Sequence, residues 1–161
     1  MLTLYLLRHA KSSWNDSSQR DFERPLTDRG REACVLIGEF IEEKEIEFDL
    51  VLVSTAVRTR ETIELVKERA KLDSEVRYDD RIYEATVSQL LEVISQVYND
   101  RENVLLVGHN PGMEELLTLL TGEHLRVTTA NLARIKIQAT KWSDSLANTG
   151  TLDWIIRPKE I

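Results

Sequence analysis

The chain has 161 residues, 42% of them hydrophobic and 30% charged, which predicts one globular domain over residues 1–161 with a sizeable core. The formal net charge of −7 argues against nucleic acid or an anionic membrane surface as a partner. One cysteine, Cys34, excludes an internal disulfide and a multi-cysteine metal site. No apolar run approaches the roughly 20 residues that span a bilayer, and no signal peptide is evident, so we expect a cytoplasmic location.

The first part of the chain predicts a strand, a loop and a helix. Leu2–Leu7 is apolar apart from Thr3, as expected of a strand that is buried on both faces. Residues 10–26 show no sustained period and are predicted to form a loop, after which Thr27 is placed to cap a helix. Later apolar runs predict five more strands, over residues 49–53, 75–78, 103–107, 130–138 and 151–157.

Three more helices are predicted between these strands. Ser54 or Thr55 is placed to cap the second helix, and Thr86 opens a capping-box pattern for the third. Pro111 is placed at the first position of the fourth helix, and Gly122 is placed to end it. The alternation predicts an α/β fold, a three-layer sandwich with helices on both faces of a mostly parallel central sheet.

Histidines and arginines follow three of the predicted strands. Arg8 and His9 come after the first strand, Arg58 lies about one helical turn beyond the second, and His109 follows the strand over 103–107. Ligands of open α/β sheets bind at the carboxyl ends of the strands, where helix N-termini add N–H groups that suit an anion. A histidine at one strand end is commonly a surface residue, but the coincidence of three such ends predicts a phosphate-type site.

Four short motifs at these positions carry a family resemblance. The stretch RHAKSSWN contains Arg8, His9, Ser12 and Asn15 in the order R-H-x-x-S-x-x-N, with Ala10 after the histidine. The other three are RPLTDRG at 24–30, STAVRTRET at 54–62 and VGHNPG at 107–112. Together they resemble the histidine phosphatase superfamily, also called the phosphoglycerate mutase-like family. Ala10, where most members have glycine, is typical of its SixA-type phosphohistidine phosphatase branch.

The resemblance implies a phosphoglycerate mutase-like fold and a role for each matched residue. His9 would attack phosphorus and form a phosphohistidine intermediate, which splits one displacement into two easier steps. Arg8 and Arg58 would bind the phosphoryl oxygens, since guanidinium groups stay charged and can bind them bidentately. His109 would donate to another oxygen in the transition state. No metal and no other cofactor is implied.

Neutral donors and a general acid are also implied. Ser12 and Asn15 would add neutral hydrogen bonds to the phosphoryl group. Glu84, in RIYEA after the third strand, resembles the acid glutamate of larger family members, but it equally suits a solvated residue before a helix. Arg8 and His9 can face one phosphate only if the strand ends at or just before Arg8, since neighbouring strand residues point to opposite faces.

The sequence leaves three functions open, of which two are enzymatic and one is binding alone. The loop of about 17 residues between the first strand and first helix is too short for a lid domain, so we expect an open site. A phosphohistidine on a partner protein is therefore the leading substrate. The alternatives are a phosphatase of small phosphate monoesters and a phosphate-binding or phosphoprotein-binding module without turnover.

Overall fold

Six strands form one sheet in the computed structural model, which describes residues 1–161. In chain order they are β1 (Leu2–Arg8), β2 (Leu50–Val53), β3 (Glu75–Tyr78), β4 (Asn103–Gly108), β5 (Leu132–Ile137) and β6 (Gly150–Ile156). Across the sheet the order is β3-β2-β4-β1-β5-β6. The first four of these are parallel, β5 is antiparallel to β1, and β6 is antiparallel to β5. The predicted mostly parallel sheet is confirmed.

Helices cover both faces of the sheet. They are α1 (Asp28–Glu43), α2 (Val57–Ala70), α3 (Val87–Ser95) and α4 (Gly112–Thr121). Leu4 and Leu6 of β1 pack into a core with residues of α3 and α4, whereas Tyr5 and Leu7 pack into a second core with α1 and α2. Alternate side chains of a strand point to opposite faces, so β1 is buried on both sides and the three-layer sandwich is confirmed. None of the helices combines the length and apolar character needed to cross a bilayer.

Local capping explains where three of the helices begin or end. Thr27 accepts a hydrogen bond from the Gly30 N–H at 3.0 Å and so caps α1. Thr86 and Gln89 form the reciprocal capping box of α3. Gly122 ends α4 with a φ of 79°, a left-handed conformation that glycine adopts without a Cβ penalty. All three predictions are confirmed.

The predicted cap of α2 is wrong. The N-cap is Ala56, and no side chain caps this helix. The Ser54 hydroxyl lies 2.7 Å from His109 Nε2, and the Thr55 hydroxyl donates to Asp80 at 2.6 Å. Both hydroxyls are therefore engaged in tertiary contacts that the local sequence pattern does not reveal.

The start of α4 and the start of β5 also differ from the prediction. Pro111 is the N-cap of α4 and not its first helical residue, and the Asn110 side chain accepts the Glu114 N–H at 3.3 Å. β5 begins two residues late because Ala130 has a φ of 59°, outside strand geometry. The Ala130 N–H donates to the carbonyl oxygens of Arg8, the last residue of β1, and His9, at 3.0 and 3.1 Å. This contact holds the segment before β5 against the end of β1.

Candidate functional site

The predicted histidines lie side by side at the carboxyl edge of the sheet. β1 ends at Arg8, as predicted, and Arg8 pairs with Gly108 at the end of the neighbouring β4. The next residue of each strand is therefore His9 or His109, and their ring centroids are 5.3 Å apart. β2 lies on the other side of β4, so the helix that follows it brings Arg58 to the same edge.

His9 is buried and its ring has a defined tautomer. Nδ1 lies 2.7 Å from the carbonyl oxygen of Ala10, which can only accept, so Nδ1 carries the hydrogen and Nε2 keeps its lone pair. Burial is the main cause that lowers the pKa of His9 to about 4; the Ala10 carbonyl opposes this, and the charges of Arg58 and Arg8 reinforce it. The imidazole is thus neutral at pH 7.

His109 is held by the serine that follows β2. Its Nε2 lies 2.7 Å from the Ser54 hydroxyl, and its Nδ1 is buried without a hydrogen-bond partner. Burial, followed by the charges of His9 and Arg58, lowers the pKa of His109 to about 3. The Tyr83 ring packs edge-on against it, with centroids 5.6 Å apart. His109 is therefore neutral at pH 7, and one of its ring nitrogens has no protein partner.

Asp21, in the loop between β1 and α1, organises the cations of the site. Arg58 donates from Nη1 to the Asp21 carbonyl at 2.8 Å and from Nη2 to its carboxylate at 3.1 Å. Arg24 and the Tyr83 hydroxyl donate to the same carboxylate at 2.9 and 2.6 Å. Although burial alone would raise it, donation from Tyr83 and Arg58 lowers the pKa of Asp21. An ionised carboxylate therefore fixes both arginines, whose side chains are only 8% exposed.

Arg8 and Arg58 each keep an unused donor. Arg8 donates from Nη1 to the carbonyl of Val127 at 3.2 Å. Nε of Arg8 and Nε of Arg58 are buried without a hydrogen-bond partner. Buried donors are nearly always satisfied in native proteins, so these N–H groups mark a place where an anion is expected.

The two predicted neutral donors are placed differently. Ser12 is buried, and its hydroxyl accepts a hydrogen bond from Arg24, which joins it to the Asp21 cluster. Asn15 is exposed, and its backbone N–H donates to the Ser13 hydroxyl. The structure therefore brings Ser12 to the cations and leaves the Asn15 side chain in solvent.

Glu84 lies beside the site at a strained backbone position. Its φ is 52°, in the left-handed region that non-glycine residues rarely adopt, and its side chain is exposed. The preceding residue, Tyr83, contacts both Asp21 and His109. Strained residues of this kind cluster at functional sites.

Two motif glycines allow close backbone approaches that shape the site. A Cβ on Gly30 would lie 2.3 Å from the carbonyl oxygen of Lys11, so this glycine lets the chain after His9 rest on the first turn of α1. A Cβ on Gly112 would lie 2.8 Å from the carbonyl oxygen of Ala85. Both glycines therefore hold site loops against helix N-termini.

Three residues that matter here are not identified by the sequence patterns: Asp21, Tyr83 and Ser54. The one available signal for Asp21 is its position three residues before Arg24 in the predicted loop. Tyr83 adjoins Glu84 in the same motif, and Ser54 opens the STAVRTRET motif. Their roles depend on tertiary contacts, which the motif spacing alone does not specify.

Other site chemistries find less support in the side chains. No group of three or more His, Cys, Asp or Glu side chains is arranged to hold a metal ion. Burial raises the pKa of the Cys34 thiol to about 12, so this cysteine is present as the unreactive thiol. The charged groups that act on both histidines include two arginines, Arg58 and Arg8.

Comparisons with known proteins agree with this arrangement. A family model described as the histidine phosphatase superfamily (branch 1) matches residues 4–92. An uncharacterised chloroplast protein of Arabidopsis thaliana is 30% identical over 160 residues, covering 94% of this chain and 73% of that protein. The SixA structure from Agrobacterium tumefaciens is 29% identical, with a TM-score of 0.85 and coverage of 98% of both chains. The SixA structure from Nakamurella multipartita has the same identity and TM-score, covering 98% of this chain and 96% of that one.

Proposed function

This chain belongs to the histidine phosphatase superfamily and is of the SixA type, and we propose that it hydrolyses phosphohistidine on a protein through a covalent intermediate on His9. The observation that carries the proposal is the hydrogen bond from His9 Nδ1 to the Ala10 carbonyl, 2.7 Å long. It fixes the ring and leaves Nε2 as the nucleophilic nitrogen. The low pKa of His9 keeps that nitrogen unprotonated at neutral pH.

In the first step, Nε2 of His9 attacks the phosphorus atom of the substrate. A nitrogen–phosphorus bond forms on His9 while the bond from phosphorus to the substrate imidazole breaks, and its electron pair stays with the departing ring. Arg8 and Arg58 bind the phosphoryl oxygens, since each has a buried N–H without a partner. Their fixed positive charges stabilise the negative charge that develops on the phosphoryl group.

His109 contributes a neutral donor in this proposal. Ser54 Oγ accepts the Ala56 N–H at 3.4 Å, so its own hydrogen is free to donate to His109 Nε2. That arrangement puts the imidazole proton on Nδ1, the ring nitrogen that has no protein partner. A phosphoryl oxygen can accept from it without His109 having to be charged.

In the second step, water attacks the phosphohistidine of His9. The phosphorus–nitrogen bond breaks, inorganic phosphate leaves, and His9 regains the Nε2 lone pair.

Glu84 is proposed as the acid that protonates oxygen leaving groups. A phosphohistidine substrate needs it less, because a departing imidazole nitrogen can already carry a proton.

A protein substrate is favoured by the exposure of the loop over the site. Trp14, 76% exposed, lies over the Arg24 guanidinium, 3.3 Å from its carbon to the ring centroid, so the site rim is open to solvent. The Agrobacterium relative is described as a phosphohistidine phosphatase, which supports the same substrate class here. A cytoplasmic location, where phosphohistidine signalling proteins would be accessible, is part of the proposal.

The test is a substrate panel. The protein is incubated, with a chelator present, with a phosphohistidine-bearing protein and with a set of small phosphate monoesters, and released phosphate is measured. We expect turnover of the phosphohistidine protein, with kcat/KM well above that of every monoester.

Three other results would contradict the proposal. Faster turnover of one small ester would assign the protein to the monoester phosphatases. Binding of inorganic phosphate without turnover of any substrate would make it a binding module. Loss of phosphohistidine turnover on adding the chelator would contradict the metal-independent mechanism.

A further inference from the structure

A groove beside the active site gathers cations in a chain that is acidic overall. It has a volume of about 700 Å³ and is formed by the segment after β1, the start of α1, the segment before β5 and the residues after β6. Glu32 is its one lining carboxylate. We call it the basic groove, and its cations are Lys11, Arg29, Arg126, Arg157 and Lys159.

The five cations of the basic groove are exposed and unpaired. None of them forms a salt bridge, although most other cations of the chain do, including Arg31 with Glu61 and Arg134 with Asp153. Like charges that share a groove repel one another, which raises the electrostatic free energy of the free protein. An anionic ligand would relieve this repulsion. The chain's net charge of −7 makes this concentration of positive charge local.

A buried amide adds a second, uncharged feature to the basic groove. Asn131 lines it and is fully buried, and its Nδ2 has no hydrogen-bond partner. Its Oδ1 accepts from the Thr128 hydroxyl at 2.8 Å, which fixes the amide orientation. A buried, oriented and unused N–H donor is what a bound carbonyl or carboxylate oxygen would satisfy.

The basic groove adjoins the catalytic residues through two segments. Lys11 is two residues after His9. Arg126 precedes Val127, whose carbonyl accepts from Arg8 at 3.2 Å. Burial chiefly lowers the pKa of Arg8, and the charge of Arg126 contributes to the same direction. Lys11 and Arg126 therefore place the groove next to the segments that carry and contact His9 and Arg8.

We propose that the basic groove binds an acidic segment of the phosphorylated protein substrate, next to the phosphorylated side chain. The inference rests on the proposed function and names a feature of its partner. A short peptide suits a cavity of this volume, and carboxylates complement its five cations. A long nucleic acid is disfavoured because it would extend over the acidic remainder of the surface.

The test uses two matched histidine peptides, one flanked by Asp and Glu and the other by Asn and Gln. Binding of the fluorescein-labelled, unphosphorylated peptides is measured by anisotropy at low and high salt. Turnover is measured with the same peptides phosphorylated on histidine. Arg157→Gln/Lys159→Gln removes two groove cations, and Lys44→Gln/Lys141→Gln is the control, since these two exposed lysines are also unpaired but lie outside the groove.

We expect the wild type to bind the acidic peptide about tenfold more tightly than the neutral one, with the preference declining at high salt. The groove variant should lose about three- to tenfold of that preference, and the control variant less than about twofold. Equal binding of the two peptides, or equal losses in the two variants, would overturn the proposal. Tighter binding of a single-stranded oligonucleotide of matched charge would overturn it in favour of nucleic acid.

The turnover measurement separates this inference from the proposed function. A preference for the acidic peptide without turnover of either phosphopeptide would support the groove and contradict the phosphatase mechanism. Turnover of both phosphopeptides without any preference in binding or kcat/KM would support the phosphatase and overturn the acidic-segment proposal.

Discussion

The molecule holds two adjoining clusters of cations that differ in whether their charges are paired. In the catalytic cluster, Arg24 and Arg58 are 8% exposed at the side chain and are tied to Asp21. In the basic groove, cations such as Arg29 and Arg157 are exposed and unpaired. The first arrangement fixes charge before the substrate arrives, as electrostatic catalysis requires. The second leaves charge exposed and unpaired, which favours association and partner choice over rate.

The largest expected effect comes from removing the nucleophile of the catalytic cluster. His9→Ala should lower kcat by at least about 10⁴-fold and abolish the acid-labile phosphoenzyme, because no other group supplies the attacking nitrogen. Labelled phosphate retained on the protein after rapid quenching measures the intermediate. His124→Ala, an exposed histidine outside the four motifs, is the control and should keep wild-type kcat. Full activity in His9→Ala would disprove the mechanism.

The second expected effect concerns the protonation of His9 in the catalytic cluster. With a pKa of about 4 against an ordinary 6.5, His9 binds a proton about 300-fold more weakly in the folded protein than in the unfolded chain. The unfolded state therefore binds more protons over this range, and His9 makes stability fall as pH drops from about 6.5 to about 4. NMR titration of the ring protons, assigned with His9→Ala, measures the pKa of His9 in the folded protein. A His9 titration near pH 6.5 would contradict the burial described here.

The third effect concerns the general acid. Glu84→Gln should lower kcat about 100-fold on oxygen monoesters, because it removes the proton donor for an alkoxide leaving group. Turnover of phosphohistidine should fall by less than about threefold, since an imidazole leaving group can carry its own proton. Both rates are measured on one preparation, with Glu92→Gln, an exposed glutamate of α3, as the control. Equal losses on both substrates would assign Glu84 another role.

The success of these sequence inferences depended on whether a feature is local. Strand β1, the Thr27 and Thr86 caps and the left-handed Gly122 follow from short patterns, and all were predicted. The convergence of His9 and His109 was also predictable, because neighbouring parallel strands end at the same edge. Short sequence patterns and the topology of the sheet are enough to predict these features.

Features that depend on long-range contacts were not predictable from the sequence patterns. Asp21 gains its role from Arg58, 37 residues away, and Ser54 from His109, 55 residues away. A pattern that assigns Ser54 to a helix cap describes the local preference of serine correctly, but the tertiary hydrogen bond takes precedence. The basic groove is likewise assembled from four separate segments, so no single stretch of sequence predicts it.

Asp21 tests whether the catalytic cations need to be held in place. Asp21→Asn keeps the side chain's shape but removes the charge that aligns Arg58 and Arg24, so kcat should fall about tenfold with a smaller change in KM. Stability should fall by about 1 kcal/mol, because two nearly buried guanidinium groups lose their ionised partner while Asp21 itself is 40% exposed. Urea unfolding and steady-state kinetics measure the two effects.

The control for this variant lies in the same loop. Asp16→Asn removes a carboxylate that is exposed and bonds only to Ser18, so both kcat and stability should stay close to wild type. If Asp21→Asn instead raised kcat, Asp21 would be competing with the substrate for Arg58, and the positioning role would be wrong.

The smallest expected effect is seen by substituting two arginines that lie two residues apart in α1. Arg29 lines the basic groove unpaired, whereas Arg31 forms a salt bridge with Glu61 at 3.3 Å. Arg29→Gln should raise KM for the acidic phosphopeptide about twofold and change the free energy of unfolding by less than about 0.5 kcal/mol, because an exposed unpaired cation loses no native contact. Arg31→Gln should leave that KM unchanged and lower stability by up to about 1 kcal/mol. Equal KM changes in both variants would mean that net charge, and not the groove, governs association.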